Sequence, residues 1–228
     1  MGRKLDIGEL LRQQPVFREM SDELLQRLAA VAIQVRAAKH QLVFRRGEQA
    51  TGIYIVATGH VKLAIPSPQG QEKVIEFFRP GQIFGDAVMF LDRPYLVDAE
   101  ALEDSLLIWI DKHHLYEAID HEPALARHLL VSLSQRLHFL MQDIESVNLQ
   151  TSTQRVVSWL LRQPRRATDA GTQTSFAVSK NLIASKLGLT PETLSRVLHQ
   201  LRIAGLIQVE GRDILIHDAD ALEQCMAG

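Results

Sequence analysis

The feature that most constrains the fold of this chain is a long segment between Pro123 and Pro164 that contains neither proline nor glycine. Proline and glycine are the strongest helix breakers, so their absence favours a long helix that begins near Pro123. Apolar residues recur in this segment at alternating steps of three and four, which is the a/d spacing of a coiled coil. The residues at these positions are Ala126, Leu130, Leu133, Leu137, Leu140, Ile144 and Val147. We therefore expect a dimerisation helix over residues 123–150.

The same helix has a second apolar side, formed by Leu125, Leu129 and Val131. This side could pack on the helix's own domain while the a/d seam meets a second copy of the chain. A helix buried within one domain is the alternative. The regular alternation over about three heptads favours the dimer, because covering a core does not require it.

The residues before the helix have the pattern of a β-domain, predicted over residues 1–122 together with an N-terminal helix capped at Ser21. Short apolar runs alternate with glycines at intervals typical of hairpins, which favours a barrel or a double-stranded β-roll. The apolar runs are Leu42–Phe44, Ile53–Val56, Val61–Ile65, Val74–Phe78 and Leu106–Ile110. The glycines are Gly47, Gly59, Gly70, Gly81 and Gly85.

The residues after the helix predict a winged helix-turn-helix domain over residues 151–228. An amphipathic helix over Arg155–Arg162 and a polar loop over residues 164–175 come first, and a short strand at Phe176–Val178 follows. Two apolar strands around a turn, within residues 206–216, then have the pattern of a wing.

Two helices with a glycine turn stand at the centre of this domain. Ser179 can cap a helix from Lys180 to Leu187, and Gly188 supplies the permissive backbone of the turn. Thr190 can cap a second helix, which runs through Arg202 towards a C-terminal glycine at position 205. The overall prediction is an α+β chain with an N-terminal β-roll, a long dimerisation helix and a C-terminal winged helix-turn-helix.

One face of the second helix carries residue types that can hydrogen-bond to DNA bases. Glu192, Ser195, Arg196 and His199 follow helical spacing and so share a face. Arginine can donate two hydrogen bonds to guanine, and glutamate can accept one from cytosine. An exposed Glu-Arg pair is usually only a solvated surface, but the whole helix-turn-helix pattern favours double-stranded DNA as the partner. The set of predicted DNA-binding residues is Glu192, Ser195, Arg196, Thr190, His199, Ser179 and Lys180.

The charge distribution agrees with this assignment, although ordinary unevenness of charge would explain it as well. The whole chain has a net charge of −2, but residues 151–212 contain nine Lys and Arg against three acidic residues. The one cysteine, Cys225, excludes a disulfide framework. Neither a signal peptide nor an apolar span is evident, so we expect a cytoplasmic protein without a membrane partner.

The C-terminal segment with Glu192, Ser195 and Arg196 is similar to that of the Crp/Fnr family of bacterial transcription regulators, and the resemblance covers nearly the whole chain. It implies a homodimer, most often an activator that contacts RNA polymerase. Glu-x-x-Ser-Arg resembles the Fnr branch, which implies that these three residues read an inverted repeat of TTGAT type. Two-fold symmetry of a dimer requires such a palindrome.

The resemblance also bears on the effector. Phe84-Gly85-Asp86-Ala87 resembles the start of the family's cyclic-phosphate cassette, but the Arg-Ser dipeptide that should follow is absent, which disfavours cAMP. The cysteine cluster of the iron–sulfur branch is also absent. The segment from Ala87 to Leu102 most resembles the Dnr-type denitrification regulators, which implies nitric oxide sensing through haem b. The predicted effector pocket comprises Phe84, Gly85, Asp86, Met89, Tyr95 and Leu96.

Other functions remain as alternatives to this interpretation. A regulator of the same fold could respond to a small organic ligand, to a cyclic nucleotide or to no ligand. None of the nine histidines falls in a metal-ligand spacing, so no metal or haem ligand is identified. Asp111, His113 and His114 could imitate an acid–base cluster, but the common motifs of catalytic sites are absent, and we expect no enzyme.

Overall fold

The computed structural model describes residues 6–67, 72–163, 166–168, 171–175, 178–211 and 213–224. The chain divides into two compact units, Met1–His138 and Phe139–Gly228. Each unit has its own hydrophobic interior and is described by itself. Within the described ranges, no helix is both long enough and apolar enough to cross a membrane.

The first unit contains two four-stranded antiparallel sheets, which form the predicted β-roll. One sheet has the strand order β1-β8-β3-β6 and the other β2-β7-β4-β5. The strands of the first sheet are β1 (Ile33–Ala37), β3 (Gly52–Thr58), β6 (Ile83–Phe84) and β8 (Ser105–Asp111). Those of the second are β2 (Leu42–Phe44), β4 (Val61–Pro66), β5 (Glu72–Phe78) and β7 (Asp98–Ala101). All five predicted apolar runs lie in strands.

Helices close the roll and share its core. They are α1 (Ile7–Arg12), α2 (Asp22–Val31), α3 (Asp86–Phe90) and α4 (Lys112–His121). The predicted cap of α2 is confirmed, because the Ser21 side chain accepts a hydrogen bond from the Leu24 backbone N–H. Gly85 begins α3 at a φ of +84°, a left-handed conformation that favours glycine. Phe17, Phe78, Phe84 and Met89 are among the fully buried side chains of this core.

The long helix predicted from the sequence is α5 (Ala124–Leu149), which begins one residue after Pro123. Leu125 and Leu129 on its second apolar side are buried in the core of the first unit, as predicted, whereas Val131 is exposed. The boundary between the two compact units falls within α5, after His138.

The second unit is the predicted winged helix-turn-helix. Its helices are α6 (Ser152–Arg162), α7 (Lys180–Leu187), α8 (Pro191–Ile203) and α9 (Ala219–Gln224). Its sheet has the order β11-β12-β10-β9, with β9 (Arg166–Thr168), β10 (Gly171–Ser175), β11 (Ile207–Glu210) and β12 (Asp213–Ile216). The α+β architecture is thus confirmed.

The polar loop expected over residues 164–175 is wrong in part, because β9 and β10 form a hairpin there. Thr172 and Thr174 of β10 pair with Ile216 and Ile214 of β12, which extends the sheet of the wing. Threonine is β-branched and suits a strand with one buried face, even in a polar sequence. In the strand predicted next, Val178 is not in a strand, and Phe176 and Ala177 lie outside the described residues.

Candidate functional site

Helix α8 begins at local signals that its sequence contains. The Thr190 hydroxyl accepts a hydrogen bond from the Thr193 backbone N–H at 3.2 Å, and Pro191 occupies the first helical position. Gly188, which separates α7 from α8, has a φ of +63°. The buried side of α8 consists of Leu194, Val197, Leu198 and Leu201. This packing leaves the opposite face of α8 open to solvent.

That open face carries the predicted base-reading residues. Glu192, Ser195, Arg196 and His199 are all exposed. The Arg196 guanidinium forms no hydrogen bond or ion pair with any residue that the structure describes. His199 differs, because its Nδ1 lies 3.1 Å from Nη2 of Arg202 and accepts a hydrogen bond from it. Arg196 is therefore available for a bidentate contact, whereas His199 already has a partner.

The Glu192 carboxylate is held in its ionised form by the start of α8. The pKa of Glu192 is lowered by a hydrogen bond from its own backbone N–H and by one from the Thr190 hydroxyl. A carboxylate in the first turn of a helix is also favoured by the helix dipole. At neutral pH, Glu192 is thus an acceptor beside the donor Arg196, and such a pair can distinguish cytosine from guanine.

Ser179 and Lys180 lie at the start of α7, the first helix of the pair. The Ser179 hydroxyl accepts a long hydrogen bond of 3.5 Å from the Leu182 backbone N–H, which is its predicted capping role. Lys180 is exposed at the first position of this helix, next to the cap. A cation at this position suits a phosphate of the DNA backbone.

The predicted dimerisation seam exposes several large apolar side chains of α5. Leu130, Leu137 and Ile144 are each more than 60% exposed, and Val147 is 43% exposed. The other seam residues, Ala126, Leu133 and Leu140, are partly buried. Large aliphatic side chains at regular a/d spacing on one exposed helix face are typical of a helix that pairs with another.

The residues of the predicted effector pocket do not all lie together. Phe84, Asp86, Met89 and Tyr95 are buried in the core of the roll, and an added Cβ on Gly85 would lie 3.5 Å from the Tyr95 hydroxyl. Leu96, in contrast, is 68% exposed and does not line an enclosed site in this chain. The Tyr95 ring stacks on Phe44 with 3.5 Å between ring centroids, so aromatic side chains occupy much of this interior.

An ion pair that sequence reasoning missed lies at the centre of this region. Arg136 of α5 donates to the Asp86 carboxylate at 2.7 Å and to the Ile83 carbonyl at 2.5 Å. Its guanidinium also lies 5.1 Å from the centroid of the Phe78 ring, and its Nε is 3.7 Å from Glu76. Asp86 is 1% exposed. The sequence contains one signal for this contact. Arg136 lies seven residues after the core residue Leu129 and therefore on the same, core-facing side of α5.

These residues do not fit a haem. Burial, followed by the neighbouring Tyr54 and then by the charge of Glu48, raises the pKa of the Tyr95 phenol, which opposes the phenolate that iron would require. The described imidazoles are all at least partly exposed, and none is among the buried residues of the roll. As a separate observation on metal ions that need several side-chain ligands, the described residues contain no group of three or more His, Cys, Asp or Glu that could hold one.

Comparison with protein-family models assigns both units. The model of the cyclic nucleotide-binding domain matches residues 34–122. The model of the Crp-like helix-turn-helix domain matches residues 154–225. The two matches cover most of the β-roll and of the winged helix-turn-helix, while all of α5 lies between them.

Individual relatives agree with these domain matches. The "Transcriptional activator protein anr" of Pseudomonas aeruginosa is 29% identical over 190 residues, which cover 82% of this chain and 77% of that protein. The "Cyclic AMP receptor protein" of Thermus thermophilus is 26% identical and covers 82% of this chain and 84% of that protein. The structure of FixK2 from Bradyrhizobium japonicum matches with a TM-score of 0.76 at 27% identity, covering 85% of this chain and 96% of that chain.

Proposed function

Because the chain belongs to the Crp/Fnr family of DNA-binding transcription regulators, we propose that it acts as a homodimer that reads an inverted repeat of TTGAT type. The observation that carries this proposal is the exposed face of α8. Ionised Glu192, the small Ser195 and the unpaired Arg196 stand there on a helix whose other side is packed. The N-terminal turns of the second helix of such a motif enter the major groove, where Arg and Glu recognise a G·C pair.

The exposed a/d seam supports the homodimer and therefore the palindrome. A second copy that covers Leu130, Leu137 and Ile144 would remove a large apolar surface from water. Two reading heads related by a two-fold axis bind half-sites whose centres are about one helical turn, roughly 34 Å, apart. Because both heads then bind one duplex, the second contact is made at a high effective concentration.

Binding to three duplexes, one with the inverted repeat, one with a single half-site and one scrambled, tests this proposal. The wild-type chain should bind the inverted repeat at least about tenfold more tightly than the half-site, because both heads contact the DNA. Leu137→Glu places a charge in the seam and should yield monomers by sedimentation and abolish this advantage. Leu149→Glu is the matched control, since Leu149 is 78% exposed but lies outside the seam. Equal affinity for repeat and scrambled duplexes would contradict the proposal.

For the input, we propose a regulator that responds to a small organic ligand in the β-roll or to no ligand. The finer Dnr-type hypothesis, nitric oxide sensed through haem, receives no support from the residues present. A cyclic nucleotide is disfavoured because Asp86 is already paired with Arg136 and the Arg-Ser dipeptide is absent. Transcriptional activation through RNA polymerase is proposed by analogy with the relative named as an activator.

Reconstitution with haem tests the Dnr-type hypothesis for the input. The purified chain is mixed with haem, and the Soret band is recorded with and without nitric oxide, together with the affinity for the inverted repeat. We expect no stoichiometric haem complex and no change in DNA affinity. A stoichiometric complex whose Soret band shifts with nitric oxide and whose DNA affinity changes would contradict this expectation and support the Dnr-type hypothesis.

A further inference from the structure

A single carboxylate in the second unit joins three helices. Asp143 lies near the C-terminal end of α5, and each of its oxygens has a different cation as partner. Its Oδ2 accepts a hydrogen bond from Nζ of Lys186 at 2.6 Å, and its Oδ1 lies 3.1 Å from Nη2 of Arg162. Lys186 belongs to the last turn of α7, and Arg162 is the last residue of α6. Asp143 therefore ties the end of the long helix to the helix-turn-helix.

The three charged side chains around Asp143 are partly buried, which strengthens the contacts between them. The side chains of Lys186, Asp143 and Arg162 are 15%, 27% and 30% exposed, so water screens the three charges only in part. Charge-assisted hydrogen bonds of this length are stronger than those between neutral groups. With two cations around one anion, a shift of α7 relative to the end of α5 would break at least one close contact.

A second arginine holds the turn between α7 and α8. Arg155 of α6 donates from Nη1 to the carbonyl of Leu187 at 2.9 Å and approaches that of Gly188 at 3.3 Å. These carbonyls end α7 and would otherwise lack partners within the helix. Because α8 packs against α7, the position of the reading helix follows from that of α7.

We infer that Asp143 is a positioning residue that sets the orientation of the reading helix relative to the dimerisation seam. The seam residues Leu140 and Ile144 flank Asp143 on α5, so the seam and the cluster share the same two turns of helix. In the homodimer, this orientation fixes how far apart and at what angle the two α8 helices stand. Asp143 would thus select the spacing of the half-sites without contacting DNA. This inference rests on the proposed function.

The orientation of α8 affects the affinity of the dimer for a full operator, because both heads bind the same duplex. Two heads bind one duplex with added affinity only when their geometry matches the spacing of the half-sites, and a looser orientation loses that advantage. Contacts within one half-site are made by residues of α7 and α8, such as Lys180, Glu192 and Arg196, and are unaffected. A positioning role therefore predicts separate effects on full sites and half-sites, whereas a role in folding alone predicts a common loss.

The test compares Asp143→Asn with the wild-type full chain on the operator that the wild type selects from a random library. The asparagine keeps the size of the side chain but removes its charge, so both cations lose their anion. The Kd for the full operator should rise about tenfold or more, while the Kd for a single half-site changes by less than about twofold. The preference for the selected spacing over one altered by two base pairs should shrink.

Glu145→Gln is the matched control, because it removes the same charge from the same helix. Glu145 is exposed and forms no ion pair with any residue that the structure describes. Its variant should behave as the wild type on all duplexes. Equal losses by Asp143→Asn on full operator and half-site, or no loss on either, would overturn the inference. If the wild type selects no operator, the proposed function itself fails, which is a distinct result.

Discussion

The β-roll and the reading head each contain an acidic residue and an arginine that bear on function, and the two pairs differ in burial and in hydrogen bonding. In the roll, Asp86 and Arg136 are joined at 2.7 Å, and Asp86 is 1% exposed. In the head, Glu192 and Arg196 are both exposed, and Arg196 has no partner among the described residues. The first pair is joined within the protein through Oδ1 of Asp86, while Oδ2 of Asp86 has no hydrogen-bond partner among the described residues. The second pair leaves the Arg196 guanidinium available for a ligand.

The difference explains why the output of this regulator can be assigned more closely than its input. Exposed, unpaired groups on a rigid helix point to the chemistry of their ligand. A buried ion pair is a structural contact, and a ligand that displaced it would have to supply both a cation for Asp86 and an anion for Arg136.

The largest effect should come from breaking the buried pair. Arg136→Ala leaves the Asp86 carboxylate buried without its cation, and we expect a loss of about 3–5 kcal/mol in the free energy of unfolding. Urea denaturation measures it. Arg127→Ala, on the exposed side of the same helix, should change stability by less than about 0.5 kcal/mol.

A double substitution tests whether this loss of stability comes from the unpaired charge of Asp86. Asp86→Asn combined with Arg136→Met removes both charges and should recover much of the stability, because no buried charge is left unpaired. A loss of under about 1 kcal/mol for Arg136→Ala alone would mean that the pair is not the structural contact proposed here.

The exposed pair should show the opposite behaviour, with little effect on stability and a specific effect on binding. Arg196→Ala should lose about 1–3 kcal/mol of discrimination at one guanine of the half-site. Lys180→Ala should instead weaken binding to all sequences alike and reduce the salt dependence by about one phosphate contact. Affinities for cognate and substituted operators at several salt concentrations separate the two effects. If Arg196→Ala weakens all operators equally, its contact is with phosphate.

The cap that holds the exposed pair in place contributes a smaller amount. Thr190→Ala removes the acceptor for the Thr193 N–H and should cost about 1 kcal/mol of stability. Thr190→Ser keeps the hydroxyl and should stay close to the wild type. Thermal unfolding of the two variants measures this contribution. Identical melting temperatures for Thr190→Ala and Thr190→Ser would show that the cap has no role in stability.

The smallest effect concerns pH. The lowered pKa of Glu192 means that its ionised form stabilises the folded chain at neutral pH. This contribution is complete above the ordinary pKa of 4.5 and is lost as the pH falls through the lower pKa of the folded state. A titration of Glu192 by NMR should therefore give a midpoint below 4.5. A midpoint at or above that value would contradict the hydrogen bonds assigned to its carboxylate.

Periodic segments and end signals were the part of the fold that could be predicted from the sequence. The helix α7 occupies the predicted residues Lys180–Leu187, because Ser179 and Gly188 mark its two ends locally. Strands β1, β6 and β7 were missed, because their sequences are short or polar and their pairing partners are distant in the chain. The strand β10 was missed for the same reason, since β12 supplies its pairing.

The functional sites also differ in whether a local sequence pattern predicts them. The exposed face of α8 follows from helical spacing alone, so Glu192, Ser195 and Arg196 could be found without coordinates. The pairs Asp86–Arg136 and Asp143–Lys186 join residues more than forty positions apart, and no local pattern predicts them. Haem was implied by the resemblance of one segment, and no local pattern in that segment shows that Tyr95 stacks on Phe44 or that Asp86 pairs with Arg136.

Selection of binding sites from a random DNA library by the purified chain tests the central claim most directly. Two-fold-related reading heads predict enrichment of an inverted repeat of TTGAT type, with half-site centres about one helical turn apart. They also predict that Arg196→Ala relaxes the preference at the guanine within each half-site. Enrichment of a single element or of a direct repeat, or no enrichment at all, would contradict the claim that this chain is a two-fold reader of DNA.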